Sequence, residues 1–265
     1  MKLCASVALA LILLAPGSPR AAEIVKLATR PGVTESYLLM VDPSAPPKAV
    51  AIMFTGGEGI VRLPDDVSKL KFKRRANFLV RARGIFRDRE VAVAILDVPS
   101  DHYTGMDDRF RVSGAHVDDV KVVVRDLKNR LPEAKVFLVA TSRGTLSGAY
   151  VGRALANSID GVVLTSTLFY GGTQGIGMHD FDFGSIRTRL LFVHHKDDGC
   201  HATPYRDALR QAQKGYTLIT VIGGKPAETD PCEPLAAHGY FGKEEVTVNA
   251  IKNWMLGRPF PQTAE

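Results

Sequence analysis

Five continuous apolar runs rich in branched residues dominate the chain: "KAVAIMF" (48–54), "VAVAILDVP" (91–99), "KVFLVAT" (135–141), "GVVLTS" (161–166) and "RLLFVHH" (189–195). A strand that is apolar on both sides has no face to turn to water, so such runs belong in a sheet covered on both faces. Between them, Val117, Val120, Val124, Leu127 and Leu131 recur at spacings of three and four with charges interleaved, the period of a helix with one buried stripe. Val248, Ile251 and Met255 repeat that pattern in a last helix that begins near Lys243 and stops at Gly257 and Pro259. Parallel strands need crossovers and helices supply them. The fold class that follows is α/β, a three-layer α/β/α sandwich on a mostly parallel sheet, with "ESYLLMVDP" (35–43) as an early edge strand.

The amino end reads differently. Lys2 is followed by an apolar stretch from Leu3 to Ala15, too short to span a bilayer, and then by small residues before Glu23. Residues 1–22 therefore read as a secretory signal peptide; Arg20 interrupts the small-residue cleavage pattern and leaves an uncleaved amphipathic anchor as the alternative. Cys4 lies too early to be a lipid-anchor cysteine. The remainder, 23–265, contains no Pro/Ser/Gly-rich linker and reads as a single domain, periplasmic or secreted, with no membrane span after cleavage. The net charge of +6 includes Lys2 and Arg20, so the exported part is only mildly basic. The basic stretch "KLKFKRRANFLVRARGIFRDR" (69–89) is expected to be an amphipathic helix with a solvated face, in preference to an anionic-surface or nucleic-acid site, and no nucleic-acid partner is expected. Of three cysteines, Cys200 and Cys232 remain beyond the leader, and an even pair in an oxidising compartment reads first as a disulfide.

Chemistry centres on "VATSRGT" (139–145), where a strand runs into a small-residue helical stretch. A serine at such a junction projects its hydroxyl from a tight turn, which demands small residues two positions to either side, and Ala140 and Gly144 comply. Helix capping by Ser142 or Thr141 is the competing reading. A serine hydroxyl needs a base and the base an orienting carboxylate. "LLFVHHKDDGCH" ends a strand in Asp197 and Asp198, and "PCEPLAAHGYFG" places His238 in a loop before the last helix, giving the order serine, acid, histidine.

On these residues the chain resembles the α/β-hydrolase family, from about Lys48 to Trp254 and without room for a large cap domain. Ala140 stands where the family's nucleophile elbow usually has its first glycine. The resemblance implies Ser142 as nucleophile and His238 as base. It favours Asp198 over Asp197 as acid, because 194–199 match the family's strand-end pattern at Asp198. It also implies an oxyanion hole from Thr55, Gly56 and Gly57 in "FTGGEG" (54–59) together with the backbone N–H of Arg143. A disulfide between Cys200 and Cys232 would then tie the acid loop to the base loop.

The remaining candidates follow from position. His102, after a strand end, is expected to contact substrate; His116 is expected to be a surface or capping residue; His179, in the glycine-rich stretch 169–184, is expected in a flap or pocket wall. The large, charged Arg143 beside the nucleophile is expected to meet an anionic substrate group or to pair with Glu58. The overall expectation is a cofactor-independent serine hydrolase acting on a small-molecule ester or acyl substrate, most simply a carboxylic ester. The rivals are a non-catalytic binding protein on the same fold, a serine peptidase, and a metal-dependent hydrolase using His194, Asp198 and His201.

Overall fold

Residues 21–172 and 175–265 are described by a computed structural model; the leader reading for 1–22 falls outside them except at its last two residues, of which Ala22 opens the first strand. Among the described residues nine strands form one sheet: β1 (Ala22–Arg30), β2 (Val33–Met40), β3 (Ala49–Phe54), β4 (Val91–Leu96), β5 (Lys135–Thr141), β6 (Gly161–Thr165), β7 (Arg189–His195), β8 (Thr217–Val221) and β9 (Thr263–Ala264). The order across the sheet is β1-β2-β4-β3-β5-β6-β7-β8-β9. The strands from β3 to β9 run parallel, while β1 and β2 form an antiparallel pair added to β4. Helices are α1 (Phe78–Phe86), α2 (Asp108–Arg111), α3 (Gly114–Arg130), α4 (Gly144–Ala154), α5 (Tyr205–Gln213) and α6 (Glu244–Met255).

The unbroken apolar runs are explained by two cores. Along β3, Val50, Ile52 and Phe54 face a core shared with α3, α4 and α5, while Ala49, Ala51 and Met53 face one shared with α1 and α6. The period of two is present, but both faces are dry, so alternation of polarity is lost. Small residues set the spacing of α4 on the sheet: a Cβ on Gly148 would lie 2.7 Å from Ala140 Cβ, and one on Gly152 would lie 2.6 Å from Val162. The methyl of Ala140 therefore fills the space that Gly148 leaves, which is why the elbow tolerates alanine there.

Two expectations are corrected. The segment from 35 is not an edge strand: β2 lies between β1 and β4, and the edge belongs to β1. In β1 only Val25 is buried, so it lacks the apolar signature of its neighbours, and it is held by pairing with β2 across a turn at Gly32 (φ 73°). The helix expected over 69–89 begins only at Phe78, where the Asn77 side chain accepts from the Leu79 N–H at 3.1 Å; residues 73–77 form a turn instead.

β3 leads outward to β4, and β5 lies on the other side of β3, so the order in which the chain adds strands reverses between β3 and β5. Ligand sites in open parallel sheets lie beyond the carboxyl ends at such a switch point. Ser142 follows β5 there, and Thr55 follows β3.

Candidate active site

Ser142 adopts φ 53°, a left-handed conformation that costs a non-glycine residue about 1–2 kcal/mol. Its surroundings hold it there. The Ser142 N–H donates to Thr165 O at 3.0 Å, Thr145 N–H donates to Ser142 O at 2.9 Å, and α4 starts immediately after. The turn is possible because its neighbours lack side chains: a Cβ on Gly144 would lie 2.4 Å from Phe54 O, and one on Gly56 would lie 3.1 Å from Ser142 Cβ.

His238 Nε2 lies 3.0 Å from Ser142 Oγ, and His238 Nδ1 lies 3.1 Å from both Asp198 Oδ2 and Thr203 Oγ1. With Asp198 ionised, Nδ1 carries the proton and Nε2 is free to accept from the serine hydroxyl. The acid is itself anchored: Asp198 Oδ1 accepts from the Cys200 N–H at 2.9 Å, and Thr203 Oγ1 donates to Oδ2 at 2.8 Å. Asp197 is exposed, its N–H donating to His195 Nδ1, so the two aspartates part company. The loop carrying His238 is fastened by groups the sequence did not advertise. Ser166 Oγ donates to His238 O at 2.7 Å, Ser166 N–H donates to Tyr240 Oη at 3.0 Å, and Tyr240 Oη donates to Val193 O at 2.7 Å. A Cys200–Cys232 disulfide, with Cα atoms 4.5 Å apart, joins the acid and base loops.

The loop after β3 makes the opposite wall. Gly57 (φ 60°) and Gly59 (φ 82°) take left-handed conformations that favour glycine, and the Gly59 N–H closes a turn on Gly56 O at 3.2 Å. The Ser142 N–H is engaged by Thr165 O, whereas Arg143, at the start of α4, lines a cavity together with Gly56 and Gly57; Thr55, expected beside them, is buried and does not line it. Arg111 fixes this loop from behind. Fully buried, it donates through Nη2 to Gly57 O at 2.9 Å and through Nη1 to Ser147 Oγ at 3.0 Å, and burial lowers its pKa to about 9, leaving it cationic at neutral pH. Ser142, Arg143, Gly56, Gly57, His238 and Phe78 share a cavity of about 580 Å3, within the range that small-molecule sites occupy.

Other candidates lie elsewhere. His102 is outside this cavity; it stacks on Phe110 with ring centroids 3.7 Å apart and sits 3.2 Å from Asp101. His116 is not at the surface: it is buried beside Phe54 and Phe110, where burial pulls its pKa down to about 3. Arg143 pairs with Asp108, and Glu58 pairs with Arg74, so the Arg143–Glu58 pair is absent. Asp108 also accepts from the Ile176 N–H at 2.8 Å, and with Gly171, Gly172 and Gly175 it lines a second cavity that shares Arg143 with the first. The glycine-rich stretch is thus a wall of that cavity; its residues 173–174 lie outside the described ones, and His179 is exposed beside Asp180. His194, Asp198 and His201 are not gathered as metal ligands. His194 Nε2 accepts from the Thr167 N–H at 2.9 Å in a buried site that lowers its pKa to about 3. Among the described residues only Cys200, His201 and Cys232 cluster in metal-ligand fashion, and both cysteines there are oxidised. No helix of the described residues is long and apolar enough to cross a membrane.

No family model and no curated protein matches this chain. Solved structures do. An α/β serine hydrolase without a lid from Xanthomonas campestris aligns at a TM-score of 0.58 and 12% identity over 92% of this chain and 95% of its own. The fold is that of the α/β-hydrolases. Est1E from Butyrivibrio proteoclasticus aligns at 0.58 and 14% identity, covering 88% of this chain and 98% of that one. A cold-adapted esterase from an Arctic intertidal metagenomic library aligns at 0.52 and 14%, covering 88% and 93%. In this α/β-hydrolase-fold chain, Ser142 occupies the strand-to-helix turn after β5 where that fold places its elbow.

Proposed function

We propose that the chain is an exported serine hydrolase that cleaves carboxylic esters. Ser142 Oγ attacks the carbonyl carbon as His238 Nε2 takes its proton, and Asp198 holds the imidazolium that forms. The backbone N–H groups of Arg143, Gly56 and Gly57 receive the charge that develops on the carbonyl oxygen. His238 then returns the proton to the departing alcohol, and water repeats the sequence on the acyl-enzyme. One observation carries this reading: the unbroken relay from Ser142 Oγ through both ring nitrogens of His238 to Asp198, with the serine in a strained turn. Such strain gathers where a site requires it. The esterases and serine hydrolases among the structural matches support the reaction class. Export rests on residues 1–22 and on the disulfide between Cys200 and Cys232.

The test is turnover of short-chain nitrophenyl esters by the purified protein and by Ser142→Ala and His238→Ala. Each substitution is expected to lower kcat by at least about 10³-fold, as removal of one member of such a unit does elsewhere. Equal turnover in Ser142→Ala overturns the proposal; ligand binding without turnover in any form points to the non-catalytic alternative.

A further inference from the structure

The cavity beside Ser142 has an uneven charge. One wall is the turn 73–77, held by the Lys73 N–H donating to Val61 O at 3.1 Å and the Asn77 N–H donating to Arg74 O at 2.9 Å. Because this segment is a turn and not the first half of a helix, Lys73, Arg74 and Arg75 all line the cavity in place of fanning around an axis. Arg143 is the fourth cation on its surface. Two of the four are already matched, Arg74 by Glu58 and Arg143 by Asp108. Lys73 and Arg75 are exposed and, among the described residues, form no ion pair. Among the described residues a single carboxylate, the exposed Glu233, lines the same cavity. The amino ends of α1 and α4 reach it as well, at Phe78 and Arg143, and their dipoles add positive potential.

Exposed lysines and arginines are ordinary on a surface; two unmatched ones on the wall of the cavity that holds the nucleophile are not. A cleft lined by one sign of charge focuses its field and raises the local concentration of oppositely charged ligands. We propose that Lys73 and Arg75 form an anion subsite beside Ser142, and that the substrate is an ester carrying a carboxylate on its acyl or its alcohol part. This rests on the hydrolase reading above and narrows its substrate class. The neutral ester is bound by the same oxyanion hole and attacked by the same serine; the subsite adds attraction for the second, non-reacting carboxylate.

Two matched pairs of esters test it. On the acyl side, mono-(4-nitrophenyl) adipate is compared with 4-nitrophenyl heptanoate; on the alcohol side, 4-carboxyphenyl acetate is compared with 4-carbamoylphenyl acetate. In at least one pair kcat/KM is expected to favour the carboxylate by about tenfold at low salt and to lose that preference near 1 M salt, where the screening length is about 3 Å. The ratio is expected to fall about tenfold in Lys73→Gln/Arg75→Gln and to survive in Lys73→Arg/Arg75→Lys. A ratio at or below one in both pairs, or a ratio that the neutralising variant leaves unchanged, overturns the subsite. Labelling of the same preparations by a neutral fluorophosphonate keeps the two ideas apart. Labelled protein without carboxylate preference loses the subsite and keeps the hydrolase, whereas neither labelling nor turnover of any ester removes both.

Discussion

Gly144→Ala probes how closely α4 must approach β3 for the site to exist. The new Cβ would lie 2.4 Å from Phe54 O and 2.7 Å from Thr55 O, both backbone atoms that cannot swing aside. A carbon meets a carbonyl oxygen comfortably at about 3.3 Å, so the two backbones must part by about 1 Å at that point. Overpacking of this kind costs about 1–3 kcal/mol, and each kcal/mol lowers Tm by about 2–4 °C in a domain of this size. The larger effect is expected in function. The displaced atoms belong to the residues that precede Gly56 and Gly57, and those that follow Ser142, so the two sets of amides proposed to receive the oxyanion move relative to each other. A misplacement of about 1 Å costs about 10²-fold in rate. Thermal unfolding and ester kinetics on the same preparation measure both. Gly84→Ala is the control: Gly84 is an exposed position inside α1 whose Cβ would meet nothing within 4 Å, and helix propensity predicts a gain of about 0.5–1 kcal/mol. Wild-type kcat and Tm in Gly144→Ala would refute the reasoning.

Three other perturbations separate stability from function. Replacing Arg111 by Met keeps much of its volume but removes the bonds to Gly57 O and Ser147 Oγ, so kcat/KM is expected to fall by about 10²-fold with little loss of stability, because a buried cation is itself expensive; unchanged kinetics would show that the loop holds itself. Reducing the Cys200–Cys232 disulfide, or replacing both cysteines with Ser, removes a cross-link that spans 32 residues and is worth about 3–4 kcal/mol on the chain-entropy model; an unaltered denaturation midpoint under reductant would contradict this. Glu35 is fully buried, with neither carboxylate oxygen bonded among the described residues, and burial, followed by the charges of Asp119 and Asp97, raises its pKa well above the carboxylate range. The folded chain therefore keeps a proton that the unfolded chain releases, and stability falls as pH rises from the ordinary carboxylate range towards the raised value. Glu35→Gln is expected to flatten that fall and to raise Tm at pH 8 relative to wild type; parallel Tm profiles from pH 5 to pH 8 would count against it.

What the sequence revealed and what it hid divide along the range of the interaction. The strands β3 to β7 were legible because burial on both faces leaves a continuous apolar run, and α3 and α6 because their stripes keep the helical period. Ser142, Asp198 and His238, which the structure brings within hydrogen-bond reach of one another, could be nominated because each sits at a strand end or loop and because their order resembles that of the α/β-hydrolases. β1 was not, since an edge strand carrying Glu23, Lys26 and Arg30 looks like a loop and is defined by its partner β2. Arg111, Ser166 and Tyr240 were missed for a related reason. Each acts through bonds to residues 36 to 74 positions away, and nothing near them in the sequence marks those partners. His102 and His116 were misplaced because a histidine after a strand or at a helix start carries no sign of whether its ring turns to solvent, to a pocket or to Phe110.

The relay at Ser142 is tested most directly by covalent labelling. Incubation with a fluorophosphonate followed by digestion and mass spectrometry is expected to place one adduct on the peptide containing Ser142, to lose it in Ser142→Ala, and to slow it strongly in His238→Ala. An adduct elsewhere, or labelling that proceeds equally without His238, would contradict the account.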